Sequence, residues 1–260
     1  MTGPIFWTFV TGEPPAGNWL TGEGQDFLSP AEQDLLGGLR FERRRSEWLL
    51  GRWAAKHLVR DTSPEVSGLP FSAFSVLNEE GGAPYAVDEY GKLIPGCLSI
   101  SHRAGAATCA WTNSPDIRIG IDVEWVERRD PSFLGDYFTE SEQAFATALP
   151  ETTRDVWITL AWSVKESVLK ALRTGLRIDT RKIQVVQAKG LFETSQARAG
   201  WMNLSVRGTA VSDGVWQARW LRRGEFVVTL VCHYTEGAGG EPEIKERLVE
   251  PPFVIKPGVG

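Results

Sequence analysis

Two carboxylates stand two residues apart in Ile119-Gly120-Ile121-Asp122-Val123-Glu124, a stretch that reads as a β-strand. Alternate residues of a strand share a face. Asp122 and Glu124 therefore lie side by side with Gly120, while Ile119, Ile121 and Val123 face the other way. Like charges so placed repel, and a hard cation held through oxygen ligands neutralises them. Mg2+ suits such a pair because it needs few protein carboxylates and completes its shell with water and phosphate. The same pattern also fits an edge strand facing solvent. Gly120 on the polar face leaves room for a ligand or another backbone.

About forty residues on comes WSVKESVLK, Trp162–Lys170. Glu166 and Lys170 are i, i+4 on a helix and share a face. They read either as a routine surface pair or as a third metal ligand, and possible base, beside a cation for a phosphate. About twenty residues before the acidic strand comes SISHRAG, in which Ser101 and His102 close a short strand. Both can donate hydrogen bonds to a phosphate oxygen, and a lone histidine there also fits a solvated or capping role. GRWAAKHLV, from Gly51, places Arg52 and Lys56 at i, i+4, where they meet an anion or form a solvated basic face. No GxSxG elbow accompanies the serine and histidine, so they do not read as part of a Ser–His–acid nucleophile set.

The elements that must carry these residues follow from spacing and caps. Ser29-Pro30-Ala31-Glu32 is a capping box with proline at the first helical position. A long helix follows over 41–60, where apolar residues recur at helical spacing. Strands are expected near 73–77, 97–101, 106–111 and 117–124. Then the scheme repeats: Thr139-Glu140-Ser141-Glu142 is a second capping box, a long helix covers 153–173 with Gly175 as its C-cap, and strands recur near 183–186, 201–207, 215–221 and 226–234. Glu-Gln follows both caps, as Glu32-Gln33 and Glu142-Gln143, and both long helices carry WxxK, as Trp53…Lys56 and Trp162…Lys165. Two similar α+β halves related by a pseudo-two-fold axis would follow, with a ligand site in the cleft between them. The expected division is 1–118, 119–235 and a Gly/Pro-rich tail, 236–260, as an appendage.

Composition narrows the classes. The net charge of −5 gives no basic excess for nucleic acid. With only three histidines, a His-rich metal site is not expected, and three scattered cysteines form neither a CxxC pair nor a disulfide framework. No apolar run reaches the roughly 18 residues of a membrane span, and the start has no basic signal-like region. A cytoplasmic protein is the expectation.

In this order, SISH, GIDVE and WSVKESVLK, supported by GRWAAKHLV, resemble the 4′-phosphopantetheinyl transferases, and the monomeric Sfp type more than the short trimeric holo-acyl-carrier-protein synthases. The resemblance runs from about Leu28 to Tyr234. It implies a pseudo-dimer of two α+β halves and transfer of phosphopantetheine from coenzyme A to a serine of an apo acyl or peptidyl carrier protein, with release of adenosine 3′,5′-bisphosphate. It further implies Mg2+ at Asp122, Glu124 and Glu166, with Glu166, Lys170 and His102 serving catalysis. Arg52, Lys56, Ser101, His102 and Lys170 would bind coenzyme A. The carrier would dock around Phe133, Tyr137 and Phe138, at least one of which is expected in the core.

Two departures bear on the coenzyme A 3′-phosphate. Relatives often carry a basic residue where Gly82-Ala83-Pro84 has alanine, and another in the first short helix, where this chain has Leu35. Lys92, Arg40 and Arg43–Arg45 are the nearby replacements. The alternative reading, a catalytically silent binder of coenzyme A or carrier protein, rests on Ala83.

Overall fold

A computed structural model of the chain describes residues 3–12, 27–188, 200–211, 213–235 and 240–250. In chain order the elements are β1 (Ile5–Thr11), α1 (Pro30–Gly38), α2 (Glu42–Thr62), β2 (Phe74–Asn78), β3 (Pro84–Asp88), β4 (Cys97–Arg103) and β5 (Ala106–Thr112). There follow β6 (Ile117–Trp125), α3 (Pro131–Tyr137), α4 (Glu140–Ala148), α5 (Glu151–Ala171), β7 (Gln184–Ala188), β8 (Met202–Arg207), β9 (Val215–Arg223), β10 (Phe226–Tyr234) and β11 (Ile244–Glu246). They fall into two compact units, both α+β. One holds residues up to Asn113 with the tail from Pro242; the other runs from Ser114 to Glu241. The division lies a few residues before the expected one because β6 belongs as a whole to the second unit. The tail is no appendage where it is described. β11 pairs parallel with β1, and Val249 is buried in the first unit's core. Residues 236–239 and 251–260 of the tail lie outside the described residues.

The two units share one plan. In the first, the sheet order is β11-β1-β5-β4, with β2-β3 as a separate hairpin; in the second it is β6-β10-β9-β8-β7. Each begins with a strand and continues through a capped short helix and a long helix to antiparallel hairpins; the first unit then adds β11, parallel to β1. Both capping boxes form: Ser29 accepts from the Glu32 amide and Thr139 from the Glu142 amide. The long helix 153–173 is realised over Glu151–Ala171, but its end is not capped by Gly175. Arg173 takes the left-handed conformation there, at φ 57°.

The repeated WxxK and Glu-Gln have a shared purpose in the core. Glu32 uses one oxygen to accept from the Ser29 amide and Lys56 Nζ, and the other to accept from the Val76 amide at 3.0 Å. Lys56 also donates to the Phe74 carbonyl at 2.6 Å. In the second unit Glu142 accepts from the Thr139 amide at 2.8 Å, from Lys165 Nζ at 2.9 Å and from the Val185 amide at 2.8 Å. Lys165 donates to the carbonyls of Thr180 at 3.0 Å and Ile183 at 2.6 Å. Each pair thus ties a short helix, a long helix and the first strand of a hairpin together. Both lysines are fully buried, so the charges are tolerable because each is paired with a carboxylate and hydrogen-bonded to backbone carbonyls.

The second unit's core positions the acidic strand. Val156, Leu160, Val164 and Val168 of α5 pack with Trp220, Val227 and Val231 of the sheet. Gly120 lets α5 come close over β6: a Cβ built there would sit 1.8 Å from the Ser167 carbonyl oxygen and 2.8 Å from the Ala171 amide nitrogen. Both are backbone atoms and cannot swing away. Gly120→Ala is therefore expected to force α5 off the sheet and to cost about 3 kcal/mol of stability. Urea denaturation measures this, and an unchanged midpoint would contradict the close-approach argument.

Candidate functional site

The site is built by β6 and α5. Strand alternation turns Gly120, Asp122 and Glu124 toward the helix, as the spacing predicts. Ser163, Glu166, Ser167 and Lys170 follow one another at i, i+3, i+4 and i+7 on α5, a polar stripe on an otherwise apolar helix. Asp122, almost wholly buried, accepts from Lys170 Nζ at 2.7 Å on one oxygen and from Ser163 Oγ at 2.7 Å on the other. Lys170 also donates to the Ile121 carbonyl at 3.1 Å. Glu124 accepts from Arg129 at 2.7 Å and from the Trp162 indole at 3.3 Å. Thr229, opposite Asp122 on β10, shares hydrogen bonds with Ser163 and Ser167 at 2.8 and 2.7 Å.

Glu166 stands apart electrostatically. Burial pushes its carboxyl up from the ordinary 4.5 to about 7; Lys170 opposes the rise, and the charges of Asp122 and Glu124 add to it. It is the group most relieved by added positive charge. The donors fit a hard cation, since all three are carboxylates on facing elements. As they stand, Asp122 and Glu124 are occupied by protein cations and donors, and among the described residues no three acidic, histidine or cysteine side chains are gathered closely enough to hold a metal ion.

The remaining expected site residues lie in the first unit. Ser101 and His102 close β4. His102 is exposed, with Nδ1 3.8 Å from Glu47 Oε2, and Gly51 of α2 passes close to its ring. Arg52 is buried; it donates to Asn78 at 2.5 Å and lies 4.7 Å above the Trp48 ring. Its burial lowers its pKa, against the pull of Glu32. Little of this guanidinium faces an incoming anion. Lys56 requires a correction. It was expected to bind an anion but is spent entirely on Glu32 and Phe74, and desolvation pulls its pKa down despite Glu32. A lysine at this spacing serves the core.

Sequence reasoning missed Ser163, Trp162, Arg129 and Thr229. The first two were legible as members of the polar stripe and of WSVKESVLK. Arg129 follows the strand in Glu127-Arg128-Arg129-Asp130, where no periodicity marks a partner. Of the three aromatics, Phe138 is core, while Phe133 and Tyr137 are half-buried and pack on Trp162 at 5.0 and 4.9 Å between ring centroids.

Comparison with known proteins bears on the same segment. The family model described as the 4′-phosphopantetheinyl transferase superfamily matches residues 118–229, from β6 into β10. The human L-aminoadipate-semialdehyde dehydrogenase-phosphopantetheinyl transferase is 24% identical over 191 residues, 69% of this chain and 59% of the human protein. The match thus spans less than two thirds of that relative. The holo-[acyl-carrier-protein] synthase of Mycoplasmoides gallisepticum is 30% identical over 98 residues, 35% of this chain and 84% of that protein. Among solved structures, the Thermotoga maritima holo-[acyl-carrier-protein] synthase aligns with a TM-score of 0.36 and 24% identity, over 46% of this chain and 65% of that one.

Proposed function

Because the chain belongs to the 4′-phosphopantetheinyl transferase superfamily, we propose that it transfers phosphopantetheine from coenzyme A to a serine hydroxyl of an apo carrier protein. The observation that carries the reading is geometric: Asp122 and Glu124 on one face of β6 are hydrogen-bonded to Ser163, Lys170 and Trp162 of α5, the helix that also bears Glu166 one turn before Lys170. The serine oxygen forms a new bond to phosphorus, the bond to adenosine 3′,5′-bisphosphate breaks, and the serine proton passes to Glu166, directly or through a water. Asp122, Glu124 and Glu166 are proposed to hold Mg2+, which when bound supplies positive charge to the diphosphate. Lys170 supplies a fixed positive charge to the departing phosphate. In the first unit, Ser101 and the exposed His102 are proposed to donate to phosphate oxygens of coenzyme A. Arg52 has a lesser part, and Lys56 has none.

The test is incubation with coenzyme A, Mg2+ and a panel of apo carriers from fatty-acid, polyketide and nonribosomal-peptide systems, followed by mass spectrometry of the carrier. A gain of one phosphopantetheine on at least one carrier is expected. No gain across the panel, with Mg2+-independent coenzyme A binding, would replace this reading with that of a silent binder.

A further inference from the structure

We infer that Arg129 is a built-in counter-ion that a divalent metal must displace from Glu124, so that metal loading is coupled to the segment joining β6 to α3. The inference rests on the reading of Glu124 as a metal ligand. Arg129 donates to Glu124 Oε2 at 2.7 Å, and its other terminal nitrogen lies 3.1 Å from Glu127 Oε1. Its side chain is only 15% exposed, and its guanidinium lies 5.3 Å from the Phe133 ring centroid on α3. A charge-assisted bond of this length occupies one of the oxygens a cation would use.

Lys170 holds Asp122 in the same manner, but the two cations are anchored differently. Lys170 rises from the middle of the site on α5 and also donates to the Ile121 carbonyl at 3.1 Å, so it stays over the strand whatever Asp122 does. Arg129 comes from outside the site. Its Nε is buried without a hydrogen-bond partner among the described residues, so its present seat does not satisfy it fully. It also lines a cavity of about 400 Å³, whose other charged lining residues are Arg128, Glu151, Arg154 and Asp155. A guanidinium leaving Glu124 therefore has open volume and its contact with Glu127 to fall back on. The geometry suits an exchangeable cation, in contrast to Lys165, whose three donors are all used.

The test uses the full chain without coenzyme A and follows free Mn2+ by electron paramagnetic resonance at fixed pH and salt. Arg129→Gln is expected to bind Mn2+ about tenfold more tightly than the parent, the ratio that loss of one close competing ion pair of about 1.4 kcal/mol gives. Arg129→Lys, which keeps charge but loses the planar fork, is expected to bind about threefold more tightly. Arg128→Gln, removing an exposed neighbouring charge paired to Glu151 at 3.2 Å, is expected to change affinity less than twofold. Equal or weaker binding by Arg129→Gln overturns the inference, as does an Arg128→Gln effect of the same size, which would reveal a general field. If Arg129→Gln fails to fold, Arg129→Lys decides in the same terms. Glu124→Gln separates the two levels: if it loses Mn2+ binding while Arg129→Gln matches the parent, only the Arg129 inference falls. If Glu124→Gln binds like the parent, or the parent binds no Mn2+, the metal-site reading falls and the inference with it.

Discussion

A Lys165→Ala chain is expected to lose about 3–5 kcal/mol of folding stability, the range for breaking a buried ion pair from one side. The change removes the fully buried ammonium and leaves the Glu142 carboxylate charged in the core. It also strands the carbonyls of Thr180 and Ile183, which have Lys165 as a donor. Typical domains hold only 5–15 kcal/mol in total, so the second unit should lose much of its margin. Replacing both partners with apolar residues does not restore it, because Glu142 also satisfies the amides of Thr139 and Val185. Lys56→Ala should cost a similar amount in the first unit, where Glu32 plays the same part. Denaturant midpoints measure both. A Lys165→Ala midpoint within about 1 kcal/mol of the parent would mean that these pairs are ornaments of the fold rather than its clamps.

Glu166→Gln should separate activity from stability. Transfer is expected to fall by at least about 100-fold, the lower end of what a positioned base contributes. The metal-free protein should meanwhile become more stable at alkaline pH. The sign follows from linkage. The Glu166 carboxyl is raised from 4.5 to about 7 in the folded chain. Between those values the folded chain holds a proton that the unfolded chain has released. Stability contributed by this group therefore falls as pH rises through that window and is fully lost above about 7. At about 1.4 kcal/mol per pH unit over the window from 4.5 to about 7, the ionised carboxylate costs about 3–4 kcal/mol at pH 8. Glutamine removes that cost and should match the parent near pH 4. Thermal melts at pH 4 and 8 without metal, beside a carrier mass assay, test both arms. Undiminished transfer refutes the base, and a Glu166→Gln chain less stable than the parent at pH 8 refutes the electrostatic account.

Much of this site was legible because two periods do the work. Period two puts Asp122 and Glu124 on one face of a strand, and i, i+4 puts Glu166 and Lys170 on one face of a helix. Gly120 marked the close approach before any helix was placed against it. What was not legible has physical reasons. Lys56 reads alike whether it faces an anion or a buried carboxylate; only pairing WxxK with the capping-box glutamates tells the two apart. β1 and β11 escaped notice because their pairing joins the two ends of the chain. Arg129 lies in a turn, where the partner of a side chain depends on tertiary packing and not on spacing.

The shared plan of the two units has a consequence for how many times the chemistry occurs. The hairpin pairs Arg103↔Ala106 and Arg223↔Phe226 are equivalent, and so are the pairs that those strands make with β1 and β6, Ala106↔Thr11 and Phe226↔Trp125. With Lys56 set against Lys165, the counterparts of Asp122, Glu124 and Glu166 are Thr8, Val10 and His57. Thr8 and Val10 are buried and uncharged, and burial drives His57 down to about 4, with Arg60 adding to the shift. His57 sits neutral between Trp53 and Phe71, each 4.4 Å away between ring centroids. The first unit thus shares the buried lysine–glutamate clamp but carries none of the three acids at the equivalent positions. On the proposed reading the expected stoichiometry is one ion and one transfer centre for each chain, where a literal doubling would have given two.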